Sequence, residues 1–180
     1  GKESFKILGD WLRAHENSKG VYSIVGFELD HTLSESGSVS RGICAYDKEQ
    51  HLTDVVEHLN IAKEADGKVY GDNSATGETH VELVANNLCS MNMWGFTPDY
   101  FEQSEKIFEK FLEENSQELK KEFYIPFAID CMVKSGEAKC EVLSTPSHWF
   151  GVTYKEDRPG VVAKFQELAD KGVYPTPLYK

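Results

Sequence analysis

The sequence lacks the residue spacings that build metal centres and disulfide frameworks. Its four cysteines (Cys44, Cys89, Cys131 and Cys140) are widely separated, with no C-x-x-C pair, and each stands among apolar neighbours, as reduced thiols in a protein core do. The six histidines form no H-x-H or H-x-x-x-H pair and no Cys/His set with zinc spacing. We therefore predict no disulfide and no metal site.

The chain also has no strongly basic segment and no long hydrophobic run. Its 30 acidic residues outnumber 19 basic ones, for a formal charge of -11, and the longest basic cluster is Lys120-Lys121. Nucleic acids and acidic membranes are bound by clustered Lys and Arg, so we expect neither partner. No run of about 18 apolar residues and no signal-peptide pattern is present, and we expect a cytoplasmic location.

Phosphate-binding loops are absent as well. Neither G-x-x-x-x-G-K-S/T nor G-x-G-x-x-G occurs, so no stretch supplies the backbone amides that hold a triphosphate in those motifs. The chain begins inside an amphipathic stretch, without an initiator methionine. We expect it to be part of a longer protein.

The first half of the chain predicts one helix followed by strands. Apolar residues recur at helical spacing over residues 2–15, and residues 21–29 form an apolar run rich in β-formers. After a polar loop (30–40), "RGICAYD" and "HLTDVVEHL" are typical of strands. "IAKEA" and "GKVYG" flank Asp66-Gly67, which predicts a hairpin.

The second half predicts further strands and three or four helices. "HVELVANNLCSMNMWGF" predicts two strands; Thr97-Pro98-Asp99 then predicts a helix start, with Thr97 as cap. The inward side chains expected on that helix are Phe101, Ile107, Phe108, Phe111 and Leu112. We further predict a short helix over 116–122, a helix from Pro126 to Gly136, strands at "AKCEVLS" and "HWFGVTY", and a last helix from Pro159 with Val161, Phe165, Leu168 and Ala169 inward.

This order of elements predicts one α/β domain over residues 1–180, with a mixed sheet and an inserted antiparallel β-ribbon. Ligands of open α/β sheets normally bind at the carboxyl ends of the strands.

Ser40 is the first candidate for chemistry, because S-V-S-R-G differs by one residue from the G-x-S-x-G of serine hydrolases. A nucleophile elbow needs a strand, a sharp turn and then a helix. Here a strand follows, so a solvated loop is the better interpretation of Ser40.

Three other residues each have a binding interpretation and a structural one. Gly42 could let a ligand approach a strand, or could form a bulge or turn. Glu57 points away from the face of Val56; it could accept hydrogen bonds from a polyol or simply be exposed. Asn92 lies in an apolar strand, where its amide could satisfy the core or contact a ligand.

Five motifs in order, "TLSESGSVSRGIC", "VVEHLNI", "SMNMWGFTPDYFE", "EFYIP" and "WFGVTYKED", resemble the sugar-nucleotidyltransferase-like family, in particular its bacterial nucleotidyltransferase group. The likeness covers nearly all 180 residues but only the portion C-terminal to the nucleotide-binding half. It implies a partial Rossmann-like fold of GT-A type. It also implies a magnesium-dependent transfer of a nucleotidyl group from a nucleoside triphosphate to a sugar 1-phosphate, with release of pyrophosphate.

The resemblance implies that Gly42 lies along the sugar, that Glu57 binds sugar hydroxyls and that Asn92 is the polar residue on the facing strand. The full set of substrate-binding residues expected from it is Arg41, Gly42, Glu57, His58, Asn92, Trp94 and Lys155. No catalytic residue is assigned to this chain, because positioning and charge neutralisation at the α-phosphorus drive such a reaction. Ser40 then needs no chemical role.

Two departures from the family pattern bear on activity. Trp149 is followed by Phe150 and Gly151, where many relatives have a magnesium-binding aspartate. His58 stands where a Lys or Arg is common, and a histidine is mostly neutral at pH 7. Lys155 or Arg158, near the start of the last helix, could compensate. The alternative function is a non-catalytic module that binds a sugar or nucleotide sugar, and an uncovered apolar face predicts self-association.

Overall fold

The computed structural model describes residues 1–152 and 154–177. These residues form a mixed α/β fold with a seven-stranded sheet and four α-helices. The helices are α1 (Lys2–Ala14), α2 (Asp99–Asn115), α3 (Ile125–Ser135) and α4 (Arg158–Asp170). The strands are β1 (Val21–Glu28), β2 (Val39–Tyr46), β3 (Leu52–Lys63), β4 (Val69–Asn73), β5 (Val81–Leu83), β6 (Leu88–Gly95) and β7 (Lys139–Thr145).

The sheet has the order β5-β4-β3-β2-β6-β1-β7. β1 and β7 are parallel, and all other neighbours are antiparallel. β1 is an almost continuous apolar run and is buried along its whole interior. Such a run is stable only when both faces of the strand are covered, and helices pack on both faces of the sheet here. Within the sheet, β1 lies between β6 and β7.

α1 covers one face of the sheet and is fixed there by two polar contacts. Ser4, which is fully buried, shares a 2.9 Å hydrogen bond with Thr145 of β7. The indole of Trp11 donates to Oε2 of Glu141 at 2.7 Å. Since successive side chains of a strand alternate between faces, Glu141 and Thr145 meet α1 while Cys140 and Val142 point to the other side.

α2 and α3 cover that other face, where the larger core cluster lies. The core joins Tyr22, Ile24, Cys140 and Val142 of the sheet to Ala128, Ile129 and Met132 of α3. α3 matches its predicted bounds closely, and it ends at Gly136, whose φ of 77° is the left-handed conformation that glycine adopts readily at helix ends.

α2 is fixed at its first residue. The carboxylate of Asp99 accepts hydrogen bonds from the Gly20 amide (2.7 Å), the Tyr22 hydroxyl (3.1 Å) and the Thr97 hydroxyl. Thr97 therefore binds Asp99 and makes no side-chain cap hydrogen bond to the helix. Burial alone would raise the pKa of Asp99, but these hydrogen bonds outweigh it and lower that pKa.

The Asp66-Gly67 turn between β3 and β4 is confirmed. Gly67 has a φ of 83°, and Oδ1 of Asp66 accepts from the Lys68 amide at 3.0 Å. "LTDVVEHL" and "IAK" belong to one long strand, β3, and His51 lies just before it. The antiparallel ribbon β2–β5 continues the main sheet instead of forming a separate one.

Three predictions about secondary structure and burial are wrong. Residues 116–122 form turns and coil, because this segment has no apolar face to bury. Residues 148–152 form no strand; Thr153 lies outside the described residues. The third error concerns side chains placed inward that are exposed in the structure: Phe101, Phe108, Leu112 and Phe165.

The turn between β2 and β3 covers the outer edge of β7. The Val142 amide donates to the Gln50 carbonyl at 2.8 Å, and His51 pairs with Glu141 in an antiparallel bridge. Open strand edges invite pairing with other chains, so this contact protects part of an edge that the strand order leaves unpaired.

None of the described helices is long and apolar enough to cross a membrane. The four cysteines are free thiols, and three of them are buried. Burial raises the pKa of Cys44 to about 12, so this thiol is unreactive at neutral pH.

Candidate functional site

Three neighbouring strands bring polar side chains to one cleft. Gly42 of β2 pairs with Glu57 of β3 on one side and with Ser90 of β6 on the other. Directly paired residues project to the same face of a sheet, so these three stand side by side. Together with Ser40, Arg41, Val55, Met91, Asn92 and Pro126 they line a cleft of about 190 Å³.

Gly42 makes room for this cleft. Strand pairing is regular from Arg41 to Cys44, so Gly42 itself forms neither a bulge nor a turn. A Cβ added at Gly42 would lie 2.7 Å from Cγ1 of Val55 and 3.5 Å from Oε2 of Glu57. Even a methyl group would therefore force the Val55 side chain to move, and it would touch the Glu57 carboxylate.

Glu57 is the carboxylate of the cleft. The Glu57 side chain reaches solvent, but its neighbours remove part of its hydration. This burial raises the pKa of Glu57, while electrostatic interactions with Arg41 and His58 oppose the rise. No hydrogen bond among residues 1–152 and 154–177 engages its side chain. A partly desolvated carboxylate forms stronger hydrogen bonds than one in bulk water, and Glu57 can accept them from ligand hydroxyls.

Asn92 lies in a β-bulge and is exposed. Between the pairs Ile24–Trp94 and Gly26–Ser90, β6 has more residues than β1, and Asn92 takes a left-handed φ of 55°. Asparagine tolerates this conformation better than most residues. Bulges re-aim side chains and are frequent beside active sites, and the interpretation of Asn92 as a buried core amide is wrong.

Arg41 and His58 belong mainly to the opposite face. They pair with each other one residue away from Gly42 and Glu57, so strand alternation turns their side chains to the other side of the sheet. Arg41 donates to Oγ1 of Thr32 (3.1 Å) and to the carbonyls of Thr32 (2.6 Å) and Ser40 (2.7 Å). Its guanidinium also lies 5.2 Å from the ring centre of Trp149.

His58 is buried, with Nδ1 3.0 Å from the Val56 carbonyl. His58 interacts electrostatically with Glu57, but it does not line the cleft. Arg41 borders the cleft with its guanidinium already engaged. Of these two predicted substrate ligands, Arg41 therefore lines the cleft and His58 does not, and their roles stay predictions.

Trp94 and Lys155 also lie away from the cleft. Trp94 packs against the core cluster and stacks on Phe96, with ring centres 6.2 Å apart. Lys155 begins a short 3₁₀ helix (Lys155–Asp157) just before α4 and is not among the residues that line the cleft. The structure thus brings Gly42, Glu57 and Asn92 together and leaves Trp94 and Lys155 apart from them.

Ser40 borders the cleft from within β2, with strand on its C-terminal side. This position lacks the strand-turn-helix geometry of a nucleophile elbow. The residues lining the cleft include no histidine to act as its base, so the geometry does not favour a serine hydrolase.

The arrangement can bind a neutral polyol better than a phosphate. Glu57 accepts hydrogen bonds, the Asn92 amide both donates and accepts, and Ser40 and Ser90 add hydroxyls. Among the described residues that line the cleft, Arg41 is the one that carries a guanidinium, and Thr32 and Ser40 already engage it. Among the described residues, no group of three or more His, Cys, Asp or Glu side chains is placed to hold a metal ion.

No protein-family model matches the chain, and no curated protein is significantly similar to it. Neither comparison identifies a family for the chain.

The sequence analysis missed part of this cleft. Val55, Ser90 and Pro126 form its walls, although none was singled out beforehand. Ser90 stands two residues before Asn92, and its hydroxyl accepts a hydrogen bond from the backbone N–H of Asn92 at 3.2 Å. This spacing is the one sequence signal that could have identified Ser90. Pro126 meets the strands through tertiary packing, which leaves no local pattern.

Proposed function

We propose that this chain is the sugar-binding portion of a nucleotidyltransferase of the sugar-nucleotidyltransferase-like family, with a Rossmann-like fold of GT-A type. The reaction transfers a nucleotidyl group from a nucleoside triphosphate to a sugar 1-phosphate and releases pyrophosphate. The observation that supports this proposal is the cleft shared by Gly42, Glu57 and Asn92. These are the residues that the resemblance assigns to the sugar.

The chemistry of the cleft fits a sugar ring. A hydroxyl-rich ligand needs acceptors and donors in a partly desolvated place, which Glu57 and Asn92 supply, and it needs the close approach that Gly42 permits. In this proposal these residues bind and orient the acceptor so that its phosphate faces the incoming nucleotide. Orientation of this kind lowers the entropic part of the barrier.

A second candidate is a non-catalytic module that binds a sugar or a nucleotide sugar. It is favoured by the engaged guanidinium of Arg41, which leaves the cleft without a free cation for a phosphate among the residues that line it. The sequence also contains neither triphosphate-binding motif.

Magnesium is the cofactor expected for the full-length enzyme, since it clamps phosphate oxygens in such transfers. The cleft offers one carboxylate, Glu57, and the described residues provide no larger group of ligands. They do not fit a magnesium site on their own, and we assign no step to the metal in this chain. The partners of the proposal are small molecules, with no nucleic acid and no membrane, and with self-association as a further expectation.

Binding is the direct test. Sugar 1-phosphates and nucleotide sugars are titrated into the chain while the backbone amides are followed by NMR. We expect shifts at Gly42, Glu57 and Asn92. Glu57→Gln keeps the shape but removes the charge and should weaken binding about tenfold, because hydrogen bonds to a charged group contribute ~1.5–3 kcal/mol.

The matched control is Glu49→Gln, an exposed glutamate in the β2–β3 turn, which should leave binding unchanged. Gly42→Val should abolish binding by filling the cleft. Absence of binding by every sugar compound tested, in a folded chain, would refute the proposal.

Turnover separates the two candidates. Pyrophosphate release is measured with a panel of triphosphates, sugar 1-phosphates and magnesium, using the longest natural form of the protein. Release that Glu57→Gln reduces supports the transferase, whereas binding without release supports the binding module. Covalent labelling of Ser40 by a fluorophosphonate would instead favour a hydrolase, and light scattering checks self-association.

A further inference from the structure

α2 presents an apolar stripe to solvent. Phe101, Phe108 and Leu112 are separated by seven and four residues, which places them on one face of a helix. Their exposed fractions are 72%, 41% and 45%. We call these three residues the α2 stripe. Exposed apolar side chains that share one helix face can mark an interaction site.

Two residues of the stripe, Phe101 and Phe108, border a shallow groove of about 740 Å³. The groove is lined by Pro98, Phe101, Glu102, Ser104, Glu105, Phe108 and Phe123. Beneath it, the ring of Phe123 lies 5.1 Å from that of Phe108 and 5.4 Å from that of Phe111. These ring contacts hold α2 in place beside the segment leading into α3, so the surface exists before any partner binds and little ordering is needed.

Negative charge runs along the same side of α2. Glu105 lies on the stripe itself, four residues after Phe101, and Glu102, Glu109 and Glu113 form the next row of the helix. Within residues 1–152 and 154–177, no ion pair engages Glu105, Glu109 or Glu113. Glu102 is 3.6 Å from Lys106, and Lys110 is 3.9 Å from Glu114, so the nearby lysines are paired with other glutamates.

This combination selects the partner. A second copy would bring its own glutamates against these, and an anionic membrane would be repelled. A helix with an apolar face and flanking lysines or arginines satisfies both features. Helices of that type bind apolar grooves through residues spaced three or four apart.

We propose that the α2 stripe and its glutamates form a docking site for a basic amphipathic helix of a protein partner. This site is separate from the sugar cleft and does not depend on the proposed function. Aromatic anchors supply affinity, and the glutamates supply orientation and the rate of association.

The test uses a synthetic, fluorescently labelled peptide of Leu and Lys with helical periodicity, and the same peptide with every Lys replaced by Glu. Binding to the 180-residue chain is followed by anisotropy, and the contact surface is mapped by NMR. We expect the Lys peptide to bind with shifts along α2, and the Glu peptide to bind at least about tenfold more weakly, the ratio that corresponds to ~1.4 kcal/mol.

Two pairs of variants test the two parts of the site. Phe101→Ser with Phe108→Ser should weaken the Lys peptide about tenfold, whereas Phe5→Ser, which removes a phenylalanine that is 73% exposed on α1, should not. The double variant Glu105→Lys/Glu109→Lys should weaken binding of the Lys peptide more than the double variant Glu16→Lys/Glu49→Lys does. Both double variants change the net charge by the same amount. Circular dichroism verifies that every variant is folded.

Three results would overturn the proposal. The peptide could map outside α2, the stripe variants could bind like the parent, or the Glu peptide could bind as well as the Lys peptide. A dimer seen by light scattering that disappears in the Phe101/Phe108 variant would assign the stripe to a second copy instead.

Discussion

α1 and α2 lie on opposite faces of one sheet, and each has a row of aromatic and aliphatic residues. α1 is fixed at its start by Ser4 and near its end by Trp11, both buried. α2 is fixed at its start by Asp99 and buries Tyr100, but the α2 stripe remains in solvent. The comparison shows that an amphipathic pattern identifies a helix without telling how much of its apolar face the fold itself covers.

The largest effect should come from the buried anchor of α1. Trp11→Ala removes an indole that is 7% exposed and leaves Glu141 without its donor, so we expect a loss of about 3–5 kcal/mol in the free energy of unfolding. Urea denaturation measures it. Phe5→Ala on the same helix is the control, and an equal loss in both variants would show that burial does not distinguish them.

Removing the charge that fixes α2 should have the next largest effect. Asp99→Asn keeps the shape but weakens three hydrogen bonds, and we expect a loss of about 1–3 kcal/mol at pH 7. The pKa of Asp99 is lowered in the folded protein. Its contribution is therefore complete above the unfolded pKa of about 3.9 and is lost as the pH falls through the lower folded value.

Stability measured against pH checks this sign. The difference between the parent and Asp99→Asn should shrink below about pH 4, where the carboxyl becomes protonated in the unfolded chain. A difference that grows on acidification would mean that Asp99 destabilises the helix start.

A smaller effect is expected for the first anchor of α1. Ser4→Ala removes one buried hydrogen bond to Thr145, and Thr145 keeps the amide of Ser147 as a partner at 3.3 Å. We expect a loss of about 1 kcal/mol, measured by thermal unfolding. Ser4→Val should cost more, because the extra methyl group meets a filled site.

The smallest effect should be on the α2 stripe. Phe101→Ser removes a side chain with little burial, so the free energy of unfolding should change by no more than about 0.5 kcal/mol. A loss comparable to that of Trp11→Ala would mean that α2 buries Phe101 in solution, and the comparison between the two helices would fail.

The local elements were predictable where one sequence feature dominates. Continuous apolar residues identified β1, the Asp66-Gly67 turn identified the hairpin, and Pro126 and Gly136 bounded α3 closely. The predicted strand at 148–152 was wrong because its apolar side chains serve a loop: Trp149 covers Arg41, and its amide binds the His31 carbonyl at 2.9 Å. Composition does not distinguish an aromatic residue in a buried strand from one in a loop that packs on the fold.

The candidate site was predictable only as far as strand alternation reaches. Alternation placed Glu57 on the face opposite Val56, which agrees with the pairing of Glu57 with Gly42 and of Val56 with Ile43. The register between β2 and β3 decides which residue of β2 lies opposite Glu57. It pairs Gly42 with Glu57 and turns the Arg41 side chain to the other face of the sheet. The left-handed bulge at Asn92 likewise depends on pairing between distant strands.

The parallel pairing of β1 with β7 has a consequence for synthesis. β1 is made well before the strand that completes it, because β7 begins at Lys139 and leaves the ribosome only after six other strands and three helices. Contacts so distant along the chain form slowly, and an incomplete nascent chain exposes β1, which the complete fold buries along its whole interior, to aggregation. We expect fragments that end before Lys139 to need a chaperone to stay in solution.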